Sequence, residues 1–420
     1  MARSPRATQW LPGSHGGRRR RRQGGHMSRL RALAALPALL LMASVHAAAF
    51  KAMLIERADD PRFERNRVER AYLGHAGGPA ADGVQLALQD AQFELDAAGA
   101  SVALERVAVA DAPAARDAAV RAQKAGVAAI VADLPTDWLL AAVDAAGLPV
   151  LNVADAADRL RERDCRARLL HLLPSERMRA DALAQALVAR RWSQVLLLAG
   201  TNPLDAERSA VAQAAIKRYA LKLVQSKPFK LSADPREREL GNPLLLTQGN
   251  YDVVWVVDSD GEFARSLPYR TVLPRPVVGD AGLVAVGWHA QFERFGAPQV
   301  SRRFAKAVGR PMSSHDWAAW MAGKALAAAA VATQEAQKGK KGAAGSGATF
   351  VKALAALELD GSKGVSMSFR AWDGQLRQPL LLTDGQGVIA LAPTEGVLHP
   401  KNNLDTLGAD APEKLCKPKP

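Results

Sequence analysis

A chain of 420 residues, 48% hydrophobic and 23% charged, is too long for one ordinary domain and too apolar to be disordered. Its formal charge of +14 would point to nucleic acid or a membrane surface, but nine arginines fall within residues 1–49, where there is no lysine and no acid. Without that stretch the charge is +5, which leaves no reason to expect a nucleic-acid partner.

From Met27 the chain reads MSRLRALAALPALLLMASVHAAAF. Arg29 and Arg31 precede an apolar run from Ala32 to Ala43, and small-residue sites follow at 45–47 or 47–49. That is the layout of a cleaved secretory signal peptide. The run is too short for a stable membrane span and holds no cysteine for a lipid anchor. Met27 is read as the translation start, residues 1–49 as leader, and the periplasm as the destination. In an exported chain the only two cysteines, Cys165 and Cys416, are expected to pair and tie the C-terminal tail to the body. Two separate thiols are the alternative.

Beyond the leader, two kinds of segment alternate. Short apolar runs at 102–109, 127–132, 148–153, 195–199, 221–225 and 251–257 predict strands buried on both faces. Between them, helical periodicity predicts helices at 83–97, capped by Asp82, and at 112–125, 136–146, 176–191 and 205–219. This rhythm means βαβ units and parallel sheets. It runs too long for one sheet, so the fold expected is α/β, with two doubly wound parallel-sheet lobes joined by a hinge. LLHLLPS (169–175) is the candidate first crossover. A long helix is predicted from Ser313 to about 333, then a flexible loop at 337–348, a helix at 349–358, and a hairpin at 364–382 around Trp372-Asp373-Gly374. The lobes are placed at 50–170 plus 286–358 and at 171–285 plus 359–390, with a surface tail over 391–420.

Catalytic motifs are lacking. There is no phosphate-cradling glycine loop, no His-Glu-x-x-His and no Gly-x-Ser-x-Gly. Asp258-Ser-Asp260-Gly-Glu262 opens like a calcium loop, but its glycine falls at position four and position twelve is Tyr269. Neither an enzyme, a cofactor nor a metal site is expected. His171, in an apolar segment, reads as a core residue. In open α/β sheets, ligands sit beyond the carboxyl ends of the strands. The polar residues there are Thr136, Asn152, Asp155, Asn202, Asp258 and Asp280, and these are the candidate ligand-binding residues. Each also has a local explanation as a cap or turn residue.

The order AAIVADLPT (128–136), LPVLNVAD (148–155), LLHLLPS (169–175), RWSQVLLLAG (191–200) and PVVGDAG (276–282) resembles the type I periplasmic binding proteins of the branched-chain amino acid class. Segments 62–93, 287–304 and 369–385 resemble, more narrowly, the substrate-binding proteins associated with PQQ-dependent alcohol dehydrogenase systems. The resemblance implies a small-molecule ligand taken between two lobes and an ABC permease in the inner membrane as partner. The alternative it leaves is an accessory or sensing protein for a periplasmic quinoprotein dehydrogenase. It does not imply that the chain binds the quinone. By position, Asp280 would meet a ligand ammonium, and a hydroxyl near Thr136 a ligand carboxylate. The loops nevertheless carry carboxylates where amino-acid binders carry hydroxyls, which weighs against an anionic headgroup and against an ordinary α-amino acid.

Overall fold

A computed structural model describes residues 48–63, 73, 75–337 and 347–417. The leader up to residue 47 and the Gly/Lys-rich loop at 338–346 lie outside the described residues. So do the last three residues.

The first half builds one parallel sheet from β1 (Ala48–Arg57), β2 (Ala100–Val109), β3 (Ala129–Asp133), β4 (Val150–Asn152) and β5 (Leu169–His171), in the order β2-β1-β3-β4-β5. Its helices are α1 (Ala80–Asp90), α2 (Gln92–Ala98), α3 (Ala112–Lys124) and α4 (Thr136–Ala145). Strand alternation sorts the core: Ala52 and Leu54 of β1 face one layer, Met53 and Ile55 the other. Every residue of β3 is buried, as a strand covered on both faces requires.

After β5 the chain crosses into α5 (Glu176–Ala189) and a second parallel sheet. Here β6 (Gln194–Ala199), α6 (Pro203–Arg218), β7 (Lys222–Pro228), α7 (Pro243–Leu246), β8 (Val253–Val257) and β9 (Val277–Gly279) give the order β7-β6-β8-β9. Alternation repeats: Val195 and Leu197 of β6 join Val253 and Trp255 of β8 on one face, while Leu196 and Leu198 join Val254 and Val256 on the other. In each sheet, chain order reverses beside the first strand, at β1/β3 and at β6/β8. These are the positions where α/β sheets open a crevice.

The chain returns through β10 (Val284–Val286) to α8 (Ala297–Val308), α9 (Ser314–Gln337) and α10 (Gly347–Ala355), which pack with the first sheet. It ends with a short pair, β11 (Leu359–Asp360) and β12 (Ser366–Met367), then β13 (Leu380–Thr383) and β14 (Val388–Ala392). The antiparallel sheet β10-β13-β14 sits between the two cores. Its alternating side chains serve both: Val284, Val286 and Leu381 on one side, Ala285, Leu380 and Leu382 on the other.

Some expectations shift. The helix predicted at 83–97 starts at Ala80 behind Pro79 and breaks at Ala91 into α1 and α2; Asp82 pairs with Arg310 at 2.9 Å instead of capping. Around Trp372 the backbone does double back, with Arg377 N donating to Ser368 O at 2.9 Å, but residues 380–383 pair with β10 and β14. Within 359–390, Leu359, Met367 and Phe369 pack in the core of the first sheet, and Leu380 and Leu382 in that of the second.

The tail is not a surface appendage. Leu407 is fully buried, Asp405 accepts from Arg370 Nε and Arg377 Nε at 2.9 Å each, and Gly408 N donates to Asp181 Oδ2 at 2.8 Å on α5. Arg177 reaches Glu413 at 2.6 Å, and a disulfide then joins Cys416 to Cys165 before β5. The tail therefore spans from α5 of the second half to the last loop of the first sheet.

Candidate functional site

The carboxyl ends of both parallel sheets border one cavity of about 1200 Å³. Enclosed ligand pockets run to roughly 300–1000 Å³, so this is the volume of a cleft open to solvent.

On the first side, β3 ends in Asp133, 1% exposed, which lies behind the cleft-lining Arg62 and His315. Arg62 Nη2 reaches its Oδ1 at 2.6 Å and also pairs with Asp60; His315 Nε2, from α9, lies 3.1 Å from its Oδ2. Burial opposes the charge of Asp133, but His315 and Arg62 outweigh it and hold the carboxyl well below the usual carboxylate range. His315 lines the cavity at 3% exposure, and its Nδ1 has no hydrogen bond.

Four residues from Pro135 to Trp138 open α4 onto the cleft, and no side chain caps the helix. The Thr136 hydroxyl donates to Asp155 Oδ2, while Asp155 Oδ1 accepts from Ala157 N at 2.7 Å. Arg57, at the end of β1, lies over the Trp138 ring at 5.4 Å from guanidinium to centroid.

On the second side, Arg208 of α6 reaches Asp280 Oδ1 at 2.5 Å and Glu176 Oε2 at 3.3 Å. Asp280 Oδ2 accepts from Asp258 N at 2.7 Å, and Arg179 pairs with Glu176 at 3.3 Å. Burial of Arg208 is outweighed by Asp280 and Glu176, so its pKa rises; the reciprocal effect of Arg208 and Arg179 overcomes burial at Glu176 and lowers its pKa. Among the described residues, no ion pair joins the first rim (Arg57, Arg62, Asp137, Arg159) to the second (Arg179, Glu207, Arg208, Asp280).

Of the six sequence candidates, Thr136, Asp155 and Asp280 line this cavity and three do not. Asn152 is fully buried behind it. Its Oδ1 accepts from Ala154 N and Asp155 N, and its Nδ2 donates to Asp155 O at 2.8 Å and meets His171 Nδ1 at 3.0 Å, so it shapes the loop that carries Asp155. Asn202 takes part in the capping box of α6 with Asp205, and its side chain turns to Ser259 and Asp260. Asp258 is 4% exposed, with Oδ2 accepting from Ala264 N at 2.8 Å; burial, with Asp260 and Asp280 close by, pushes it up to about 7. Polar residues after strands can turn inward to close their own loops, as Asn152 and Asp258 do, whereas Asn202 stays exposed and reaches across to the loop after β8.

Arg57, Trp138, Arg208, Glu176 and His315 were not among the candidates, though all line the cleft. Arg57 ends a strand that the leader's apolar run hid in sequence. Arg208 and His315 lie inside helices, where spacing gives no sign of which cleft they face.

Two parallel sheets linked by crossovers, with a cleft at their carboxyl ends, define the fold of the type I periplasmic binding proteins, the class of the ABC-transporter substrate-binding proteins. Three solved structures share this fold with the chain. A branched-chain amino acid ABC transporter periplasmic ligand-binding protein from Burkholderia xenovorans matches at 15% identity and TM-score 0.62, over 82% of this chain and 95% of its own. A solute-binding protein from R. palustris, in complex with benzoate, matches at 14% and 0.59, over 82% and 96%. A substrate-binding protein from Desulfitobacterium hafniense, in complex with Leu, matches at 16% and 0.58, over 80% and 98%. No protein-family model and no curated protein sequence matches the chain.

Proposed function

We propose that this chain is the solute-binding component of an ABC-type transport system. It acts in the periplasm after removal of its leader, takes a small metabolite between two lobes, and presents the closed form to an inner-membrane permease. The lobes we assign are 48–171 with 287–376 and 172–286 with 377–413, hinged at the β10-β13-β14 layer. One observation carries the proposal: the strand ends of two separate parallel sheets converge on a single cleft that no ion pair among the described residues bridges. Such a cleft closes when a ligand adds contacts to both rims, and binding then shifts the population toward the closed form. Relatives of this fold hold ligands as different as benzoate and Leu, so the fold leaves the solute open.

The candidate residues take new roles in this proposal. Thr136 and Asp155 form one wall and Asp280 the other, while Asn152, Asn202 and Asp258 support the loops beneath them. A catalytic role is not part of the proposal. The link to PQQ-dependent alcohol oxidation rests on the sequence segments alone, and no structural relative supports a quinoprotein partner.

Titration calorimetry of the purified chain against alcohols, aldehydes, amino acids and short carboxylic acids, beside native mass spectrometry for a retained small molecule, tests the proposal. At least one ligand is expected at one-to-one stoichiometry. No heat from any class and no retained molecule would overturn it.

A further inference from the structure

The two residues placed to read an α-amino acid are both engaged by the chain itself. The Thr136 hydroxyl is given to Asp155, so an internal carboxylate stands where a ligand carboxylate would dock. Asp280 has Arg208 on one oxygen at 2.5 Å and Asp258 N on the other at 2.7 Å, so an internal guanidinium stands where a ligand ammonium would dock. The carboxylates at these strand ends are thus already matched, and their presence does not make the cleft hostile to anions.

The cations are matched unequally. Arg62 is held by Asp60 and Asp133, Arg159 by Asp137 and Asp164, and Arg179 and Arg208 by Glu176 and Asp280. Arg57 differs. Among the described residues it has no ion pair, its Nε is buried without a hydrogen bond, and its one side-chain contact of note is the Trp138 ring at 5.4 Å. Both residues line the cavity, beside the uncapped start of α4. A guanidinium partly withdrawn from water with an open donor edge is poised for a charge-assisted, two-point bond to a planar carboxylate. Trp138, half-buried, offers apolar surface next to it, and Leu183 and Val257 line the same cavity from the second side.

We propose that the cleft takes an organic anion lacking an ammonium group, its carboxylate held by Arg57 and its apolar body set against Trp138. This rests on the solute-binding proposal above. It narrows the ligand to the class of small aromatic or aliphatic carboxylates, because at Asp280, the strand-end acid placed to receive a ligand ammonium, Arg208 already stands, and beside Arg57 an ammonium would meet a like charge.

The test is calorimetry on the full chain with four probes that share a benzyl group and differ in charge: phenylacetate, phenylacetamide, phenethylamine and phenylalanine. Phenylacetate is expected to bind at least tenfold more tightly than the other three. Arg57→Gln should weaken phenylacetate by about 10- to 100-fold while leaving the amide unchanged. Arg57→Lys should recover part of the loss, since it restores charge without the planar fork. Circular dichroism melts check that each variant folds, and Trp138→Leu, which leaves the guanidinium in place, should weaken phenylacetate and the amide alike. Equal affinity for acid and amide, or an Arg57→Gln chain that still prefers the acid, overturns the anion site. If no carboxylate binds but an alcohol or amino acid does, the ligand class is wrong and the solute-binding proposal stands. If no probe of any class binds, both fall.

Discussion

Arg208→Met tests whether the second rim is neutralised from within. The guanidinium is shared between Asp280 at 2.5 Å and Glu176 at 3.3 Å; after its removal Asp280 keeps Asp258 N, and Glu176 keeps Arg179. Breaking a fully buried ion pair on one side costs about 3–5 kcal/mol. Here the two side chains are 20% and 18% exposed and each acid retains a donor, so about 1–2 kcal/mol is expected, a fall of a few degrees in Tm. The change in specificity is the sharper readout. The freed Asp280 Oδ1 can accept a charge-assisted bond worth about 1.5–3 kcal/mol. Phenethylamine should therefore gain about tenfold in affinity while phenylacetate loses. Calorimetry with both probes on parent and variant reads the outcome. A variant that melts a few degrees lower yet binds the amine no better would refute the view that Arg208 occupies an ammonium site.

Three further outcomes follow from the fold. A Cβ at Gly83 would lie 2.5 Å from Asp316 O and 2.8 Å from Trp320 N, backbone atoms of α9 that cannot turn aside, so Gly83→Ala should lower stability by about 1–3 kcal/mol in denaturant titration. The Cys165–Cys416 bridge closes a span of 251 residues, for which loop entropy sets a ceiling of about 5.5 kcal/mol. Because Arg177–Glu413 and Asp181–Gly408 still hold the tail, Cys165→Ser with Cys416→Ser should cost less than that in thermal unfolding. Asp258, raised to about 7 in the fold, binds a proton that the unfolded chain has released by then, so its contribution to stability is present below about pH 4 and is lost as pH rises to 7. Asp258→Asn should accordingly gain stability relative to the parent across that window, and equal pH profiles would count against the assignment.

The framework was legible because parallel strands buried on both faces read as continuous apolar runs. The prediction 251–257 meets β8 at Val253–Val257, and 195–199 meets β6 at Gln194–Ala199. The strand β1 was not read, because its KAMLI run follows directly on the leader's own apolar residues and periodicity cannot separate them. That loss hid Arg57. The candidate site was legible as a set of loops bordering the cavity and not as a list: rules for strand ends point to the loops, yet whether a polar side chain faces the cleft or its own backbone depends on loop closure. Thr136 and Asn152 both end or follow apolar strands, and only the first lines the cavity. The partners that neutralise the site, Arg208 from α6 and His315 from α9, come from helices far from the strand ends in sequence, and only the packing brings them there.

Closure itself is most directly measured by small-angle X-ray scattering of the purified chain with and without saturating ligand, phenylacetate or whichever probe calorimetry identifies. Two lobes that pivot on the β10-β13-β14 layer should give a smaller radius of gyration in the bound state. A scattering curve unchanged at saturation would contradict a cleft that works by closing.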